Sequence, residues 1–260
     1  MNNPPLKEKL QAGNLTLGSW ITLGHPAIAD IFAGAGFDWL VVDMEHTTIS
    51  MKQAGELIRV IDLSGVAPLV RLTSNDPNQI KRVMDAGAHG IVVPMVNSPE
   101  EAVAAVAATR YAPDGIRGVG LARAQRYGAG FQEYLEWQKK GAVVIVQIEH
   151  HSALEVLEEI LTVEGVDGFI IGPYDLSCSM GIPGEFEHPE FLGAMETIRK
   201  AGRRLQCPGG IHVVEPDRKR LDQAINDGYR FIAYSVDIRM LDVSAREGIL
   251  GISKENPECE

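Results

Sequence analysis

Four short polar clusters close apolar runs in this chain: Asp43-Met44-Glu45-His46, Arg71 after Ala67-Pro-Leu-Val, Gln147-Ile148-Glu149, and Gly172-Pro173-Tyr174-Asp175. Two bare carboxylates brought together repel strongly, and a divalent cation between them relieves the conflict. Glu149 and Asp175 are the candidates for such a pair. All-oxygen ligands without a thiolate favour a hard ion, Mg²⁺ or Mn²⁺, with other divalent ions as alternatives, and two protein ligands leave coordination positions for water and substrate. The competing readings are a helix cap or an ion pair with Arg71 for Glu149, and the cap of a short helix for Asp175. Arg71 ends an apolar strand, so it needs an anion nearby; it either pairs with Asp43 or Glu45 or stabilises negative charge developing on a bound oxygen. His46, beside acidic residues at a strand end, is the natural proton carrier near neutral pH, with a satisfied loop histidine as the alternative. His150 and His151 precede a capping pattern and are expected to be exposed, whereas His25, His89, His188 and His212 carry no comparable context.

The elements that must position these groups alternate from end to end. Strands are predicted at 16–22, 39–45, 67–73, 90–96, 142–149, 168–175, 206–213 and 231–237, with helical patterns between them. Runs such as Ala142-Val-Val-Ile-Val146 are continuously apolar, as parallel strands covered on both faces should be. Because side chains alternate along a strand, Gln147 and Glu149 share the inward face with Val143 and Ile145. Ser152-Ala-Leu-Glu155 reads as a capping box, with leucine and isoleucine at 154, 157, 160 and 161 behind it and a stop before Gly165. A weak repeat beginning at Gly36, Gly87, Gly165 and Gly228 looks each time like a glycine helix stop feeding a strand. Eight βα units in one domain over 1–260 match an α/β fold, the closed (β/α)₈ TIM barrel, and a doubly wound open sheet is the runner-up. In a barrel the working residues sit where strands end.

Composition narrows the remaining classes. The 260 residues are 45% hydrophobic and 23% charged, which suits a globular enzyme and excludes disorder, collagen and coiled coil. The formal net charge of −11 disfavours nucleic acid and anionic lipid as partners. No apolar run approaches a membrane span, and the N-terminus lacks the apolar stretch of a secretory signal, so a cytoplasmic location is expected. Cys178, Cys207 and Cys259 form no C-x-x-C pair and read as reduced thiols. The glycine-rich stretch Gly115-Ile-Arg-Gly118-Val-Gly120 is not a dinucleotide fingerprint; it reads as a mobile loop whose Arg117, with Arg123 and Arg126, either closes over an acidic substrate or is simply solvated. The lysines, such as Lys7, Lys52, Lys81 and Lys200, fall in helical or terminal stretches, which argues against catalysis through a lysine Schiff base.

At its strand ends the chain resembles the HpcH/HpaI aldolase family, the metal-dependent pyruvate aldolases related to 2-dehydro-3-deoxyglucarate aldolase. The matching segments are Phe37-Asp-Trp-Leu-Val-Val-Asp-Met-Glu-His46, Pro68-Leu-Val-Arg71, Gly90-Ile-Val-Val-Pro-Met-Val96, Arg117-Gly-Val-Gly120, Gln147-Ile-Glu149 and Gly172-Pro-Tyr-Asp-Leu176. They span nearly the whole chain, and their combination is specific. The resemblance implies a phosphoenolpyruvate/pyruvate-type barrel whose last helix is exchanged between subunits, in a hexamer built as a trimer of dimers. It implies that Glu149 and Asp175 hold the metal, that Gln147 and the backbone of Gly172, Pro173, Tyr174 and Asp175 hold a 2-oxo acid, and that Arg71 stabilises the transition state. It implies further that His46 accepts the proton and that Asp85 raises its basicity. Asp85 closes a helix at the rim opposite the strand ends, so it would have to reach His46 from a neighbouring subunit, with Asp43 as the fallback orienter. The implied reaction is reversible cleavage of a 4-hydroxy-2-oxo acid to pyruvate and an aldehyde. Its rivals are a decarboxylase or other lyase on the same site, and a non-catalytic metal and oxo-acid binding protein. Tyr174 and Gly210-Ile-His212 depart from the family pattern on the presumed aldehyde side.

Overall fold

In the computed structural model, which describes residues 5–250, eight parallel strands close into a barrel in sequence order. They are β1 (Thr16–Ile21), β2 (Trp39–Asp43), β3 (Ala67–Arg71), β4 (Gly90–Val93), β5 (Val143–Ile148), β6 (Gly168–Ile171), β7 (Gly209–Val213) and β8 (Phe231–Val236). The helices are α1 (Leu6–Gln11), α2 (Pro26–Gly34), α3 (Met51–Leu63), α4 (Pro77–Asp85), α5 (Pro99–Thr109) and α6 (Phe131–Gly141), then α7 (Leu157–Leu161), α8 (Pro173–Ser179), α9 (Pro189–Leu205), α10 (Arg218–Asn226) and α11 (Asp237–Glu247). All eight predicted strands are present, shorter by a few residues at their ends. The closed order excludes the open doubly wound sheet.

The strand interiors divide as alternation requires. Trp39, Val41, Leu69, Val92, Val143, Ile145, Ile170 and Phe231 fill the barrel, while Val144, Val146 and Ile148 face the helix layer. Trp39 stacks on Phe231 with ring centroids 4.0 Å apart and passes over Gly18, where a Cβ would stand 2.0 Å from the indole. Helix α1 seals the N-terminal mouth: Leu6 and Leu10 join the interior cluster, and buried Lys7 donates to the Ala142 carbonyl at 2.8 Å and to Asp167 at 3.1 Å. The mouth at the strand C-termini is left for chemistry. The glycine repeat is a set of helix stops, since Gly36, Gly87, Gly165 and Gly228 take φ between +92° and +102°, a region open to glycine at little cost.

Two local expectations are corrected. Ser152-Ala-Leu-Glu155 is not a capping box: His150 caps a 3₁₀ turn over His151–Leu154 by accepting the Ser152 N–H on Nδ1, and α7 starts only at Leu157. Sequence pattern alone does not reveal that the preceding imidazole takes the capping role. Strand β6 ends at Ile171, and Asp175 lies in the first turn of α8, which begins with Pro173. Helix α11 packs on β8 and β1 of its own chain with Ile238 and Leu241 exposed; Cys259 lies outside the described residues.

Candidate active site

Parallel pairing sets Asp43, the last residue of β2, beside Arg71, the last of β3. Their side chains form a two-pronged ion pair, with Arg71 Nε donating to Asp43 Oδ1 at 2.9 Å and Nη2 to Oδ2 at 2.7 Å. The guanidinium also lies 4.3 Å from the ring centre of Trp20, so both a carboxylate and an aromatic face fix it. Asp43, only 2% exposed, further accepts the backbone N–H of Glu45 at 3.0 Å. It thus orients the arginine and the loop after β2; no hydrogen bond joins it to the His46 ring, so its fallback role as histidine orienter is not seen in the protomer. The carboxylate beside the imidazole is Glu45, 3.6 Å from His46 Nε2 and 3.3 Å from Arg71 Nε. Burial pushes Glu45 up to about 7 despite Arg71, and the charges of Glu149, Asp43 and Asp175 push the same way. His46 is largely solvent-exposed.

Across the mouth, Gln147 and Glu149 point inward from the end of β5. Glu149 is 2% exposed and held on both oxygens: Oε1 accepts the Met95 N–H at 2.7 Å, and Oε2 accepts from Gln147 Nε2. Met95 takes φ +53°, a left-handed conformation for a non-glycine residue that costs on the order of 1–3 kcal/mol and aims its amide at the carboxylate. Gly172 makes room for this side chain, since a Cβ there would stand 2.6 Å from Glu149 Oε2 and 2.8 Å from Glu149 Cβ. Burial raises the Glu149 carboxyl above its ordinary range, and neighbouring Asp175 adds to the rise. Gln147 Oε1 and Glu45 Oε2 are buried without a hydrogen-bond partner among the described residues.

A cavity of about 560 Å³ joins the two sides, lined by Trp20, His46, Arg71, Gln147, Gly172, Pro173, Tyr174 and Asp175 with apolar groups including Phe186 and Phe191. Tyr174 is exposed at its edge and meets Phe186 edge-on at 4.9 Å. His212, which the family resemblance alone placed on the aldehyde side, lines this cavity from β7 together with Tyr174; burial pushes its imidazole down to about 4, so it is neutral at pH 7. Glu45 was anticipated only as a partner of Arg71, and Met95 is the site residue to which sequence reasoning gave no role of its own. The period-2 alternation that placed Gln147 could have placed His212 as well.

The predicted arginine loop is elsewhere. Arg117 is 4% exposed, its Nη2 2.5 Å from Asp85 and its Nη1 2.7 Å from the Tyr134 hydroxyl. Arg123 pairs with Asp62 at 2.5 Å and Arg126 with Glu133. Asp62 and Asp85 stand at the C-terminal ends of α3 and α4, at the rim opposite the site, so these arginines do not close over it within the protomer. Asp85 likewise does not meet His46 in one chain.

Four carboxylates, Asp43, Glu45, Glu149 and Asp175, interact at this mouth against one guanidinium that two of them already occupy. That imbalance, the all-oxygen donor set and the unpartnered Gln147 oxygen fit a divalent cation. No group of three or more His, Cys, Asp or Glu side chains among the described residues is disposed to hold one alone, so Glu149 and Asp175 would share it with non-protein ligands. No helix among those residues is long and apolar enough to cross a membrane.

The chain is similar to known proteins over nearly its whole length. Residues 16–242 match the family model described as HpcH/HpaI aldolase/citrate lyase. The chain is 42% identical over 241 residues to the 4-hydroxy-2-oxo-heptane-1,7-dioate aldolase of Salmonella paratyphi C, covering 90% of this chain and 89% of that one. It is 39% identical over 240 residues to the hydroxypyruvate/pyruvate aldolase of Sagittula stellata, covering 92% and 94%. The crystal structure of an HpcH/HpaI aldolase from Desulfitobacterium hafniense superposes with a TM-score of 0.88 at 32% identity, over 98% of this chain and all of the other. The chain belongs to the HpcH/HpaI aldolase/citrate lyase family, and is an enzyme of the aldolase and lyase class.

Proposed function

We propose that this enzyme is a divalent-cation-dependent aldolase that reversibly cleaves a 4-hydroxy-2-oxo acid to pyruvate, or a related 2-oxo acid, and an aldehyde. The observation that carries the reading is the excess of carboxylate over cationic charge at the mouth of a cavity large enough for a small keto acid. Glu149 and Asp175 would hold Mg²⁺ or Mn²⁺, whose chemistry is that of a Lewis acid stabilising an enolate.

The chain's own residues supply the rest. Gln147 uses one amide hydrogen on Glu149 and has a second to offer the 2-oxo acid carboxylate. The first-turn amides of Tyr174 and Asp175, behind Gly172 and Pro173, lack helical acceptors and can bind the same group. His46 takes the proton of the 4-hydroxyl, the C3–C4 bond breaks, its electron pair passes into the enolate, and the aldehyde leaves. Arg71, held by Asp43 before substrate arrives, faces the oxygen on which negative charge grows and needs little reorganisation to stabilise it. Asp85 can assist His46 only from a second copy of the chain, which accords with an exchanged terminal helix in a hexamer.

The test is proton exchange. Protein stripped with a chelator and reloaded with Mg²⁺ or Mn²⁺ should replace the methyl protons of pyruvate with deuterium in D₂O, read by NMR, and lose this with chelator or in Glu149→Gln. Ion-dependent binding of pyruvate without exchange would leave a binding protein. Undiminished cleavage in chelator, with inactivation by borohydride and pyruvate, would mean a Schiff-base enzyme.

A further inference from the structure

We infer that His212 reads a hydroxyl group on the aldehyde partner, so that the enzyme selects hydroxylated, sugar-like aldehydes over alkyl ones. The inference rests on the aldolase reading above and adds the substrate class. It begins in the backbone. Along the β1–β8 seam, Gly18 pairs with Ala233 but Trp20 with Val236, so β8 carries one extra residue. Ser235, fully buried within this bulge, takes φ +51°, an unusual conformation for serine, and bulges next to active sites commonly re-aim a group. Here the hydroxyl of Ser235 donates to the Val214 carbonyl at 2.9 Å, and its carbonyl oxygen meets His212 Nε2 at 3.0 Å.

A carbonyl oxygen only accepts, so Nε2 carries the imidazole proton and Nδ1 of the neutral ring is a lone pair. Burial, which holds His212 far below the ordinary histidine range, favours that neutral form. Nδ1 has no hydrogen-bond partner among the described residues. The imidazole tilts against Trp20 with ring centroids 5.7 Å apart, and the indole Nε1–H of Trp20, 4% exposed, has no acceptor either. The cavity wall between β1 and β7 thus holds one spare acceptor, His212 Nδ1, beside an indole whose own N–H is buried. A hydroxyl both donates and accepts; the keto and carboxylate oxygens of a 2-oxo acid cannot donate to Nδ1. Farther out, Glu215, Arg220 and Gln223 give the same cavity a polar edge suited to a hydroxylated chain.

The experiment uses the Mn²⁺-loaded enzyme with pyruvate and two near-isosteric acceptors, glycolaldehyde and propanal, which differ by a hydroxyl against a methyl. Wild type should favour glycolaldehyde in kcat/KM by at least about tenfold, because a site that hydrogen-bonds a hydroxyl discriminates strongly against its absence. His212→Leu should lower that ratio about tenfold, which separates the site from the intrinsic reactivity of the two aldehydes. His212→Asn, whose amide oxygen can replace Nδ1 as acceptor, should retain part of it. A wild-type ratio within about twofold while pyruvate exchanges its methyl protons normally would overturn the inference, as would an unchanged ratio in folded His212→Leu. If the leucine variant does not fold, the wild-type ratio and the asparagine variant decide. Absence of both exchange and condensation in wild type would instead sink the aldolase reading on which the inference stands.

Discussion

Replacing Gly172 by alanine isolates what the space beside Glu149 is for. Gly172 has φ −98° and ψ 88°, a conformation alanine can reach, so the substitution tests room and not backbone freedom. The added Cβ would lie 2.8 Å from Glu149 Cβ, an atom fixed by the β5 backbone, and 2.6 Å from its Oε2. Ordinary contact begins near 3.4 Å, so the two strand ends must part by roughly half an ångström. Glu149 cannot simply swing aside, because Met95 and Gln147 hold both of its oxygens. Overpacking of this kind costs about 1–3 kcal/mol, which a barrel of this size should survive. The displacement falls on a carboxylate proposed to hold the cation, and misplacements approaching 1 Å cost up to about a hundredfold in rate. Gly172→Ala should therefore stay folded by circular dichroism, bind Mn²⁺ more weakly by titration of the free-ion EPR signal, and exchange pyruvate protons some ten- to a hundredfold more slowly. A folded variant with wild-type affinity and exchange rate would refute the reasoning.

Two other perturbations test the charge arrangement. Asp43→Asn leaves the mostly buried Arg71 without its two-pronged partner; it should destabilise the protein by about 3 kcal/mol in urea unfolding and lower the exchange rate as the guanidinium loses its fixed position. Glu45 has its pKa raised from 4.5 to about 7, so its contribution to stability is full below pH 4.5 and is lost as pH rises through 7. Converted directly, the shift is worth about 3 kcal/mol, and solvent screening of a partly enclosed group reduces it to about 1–2 kcal/mol. In chelated protein Glu45→Gln should accordingly raise Tm by a few degrees at pH 8 and leave it unchanged at pH 4; equal effects at both would rule this out.

The strands were legible because parallel strands covered on both faces must be continuously apolar, as in residues 142–146, and because glycines at positive φ mark where helices stop. Glu149 and Arg71 were legible for the complementary reason, that a charge closing such a run needs a purpose. What stayed hidden depends on backbone geometry and distant partners. No local pattern announces that Met95 turns its amide toward Glu149, or that a bulge at Ser235 fixes the proton on His212. Arg117 reads as a loop residue amid glycines, yet Asp85, Thr109 and Tyr134, far apart in sequence, enclose it. Ser152 and Glu155 satisfy a capping pattern that an adjacent histidine pre-empts.

Asp85 pairs with Arg117 in the protomer, and its proposed action on His46 is separable from that pairing. In the protomer its Oδ1 lies 2.5 Å from Arg117 Nη2, and the arginine's other partners are uncharged, the Tyr134 hydroxyl and the Thr109 carbonyl. Asp85→Asn should thus expose an uncompensated buried charge and cost about 2–3 kcal/mol, whatever the catalytic role. The nine residues of α4 rise about 13 Å from the strand ends, so contact with His46 requires a neighbouring chain. A carboxylate there would hold the imidazole pKa up, and its loss should move the acidic limb of the kcat/KM profile down by about one pH unit. The double variant Asp85→Asn with Arg117→Met distinguishes the roles, because removing both members of a buried pair restores much of the stability but cannot restore a charge beside His46. Recovery of stability with the pH profile still displaced would support action across a subunit boundary. A profile unmoved in the single variant would confine Asp85 to anchoring Arg117.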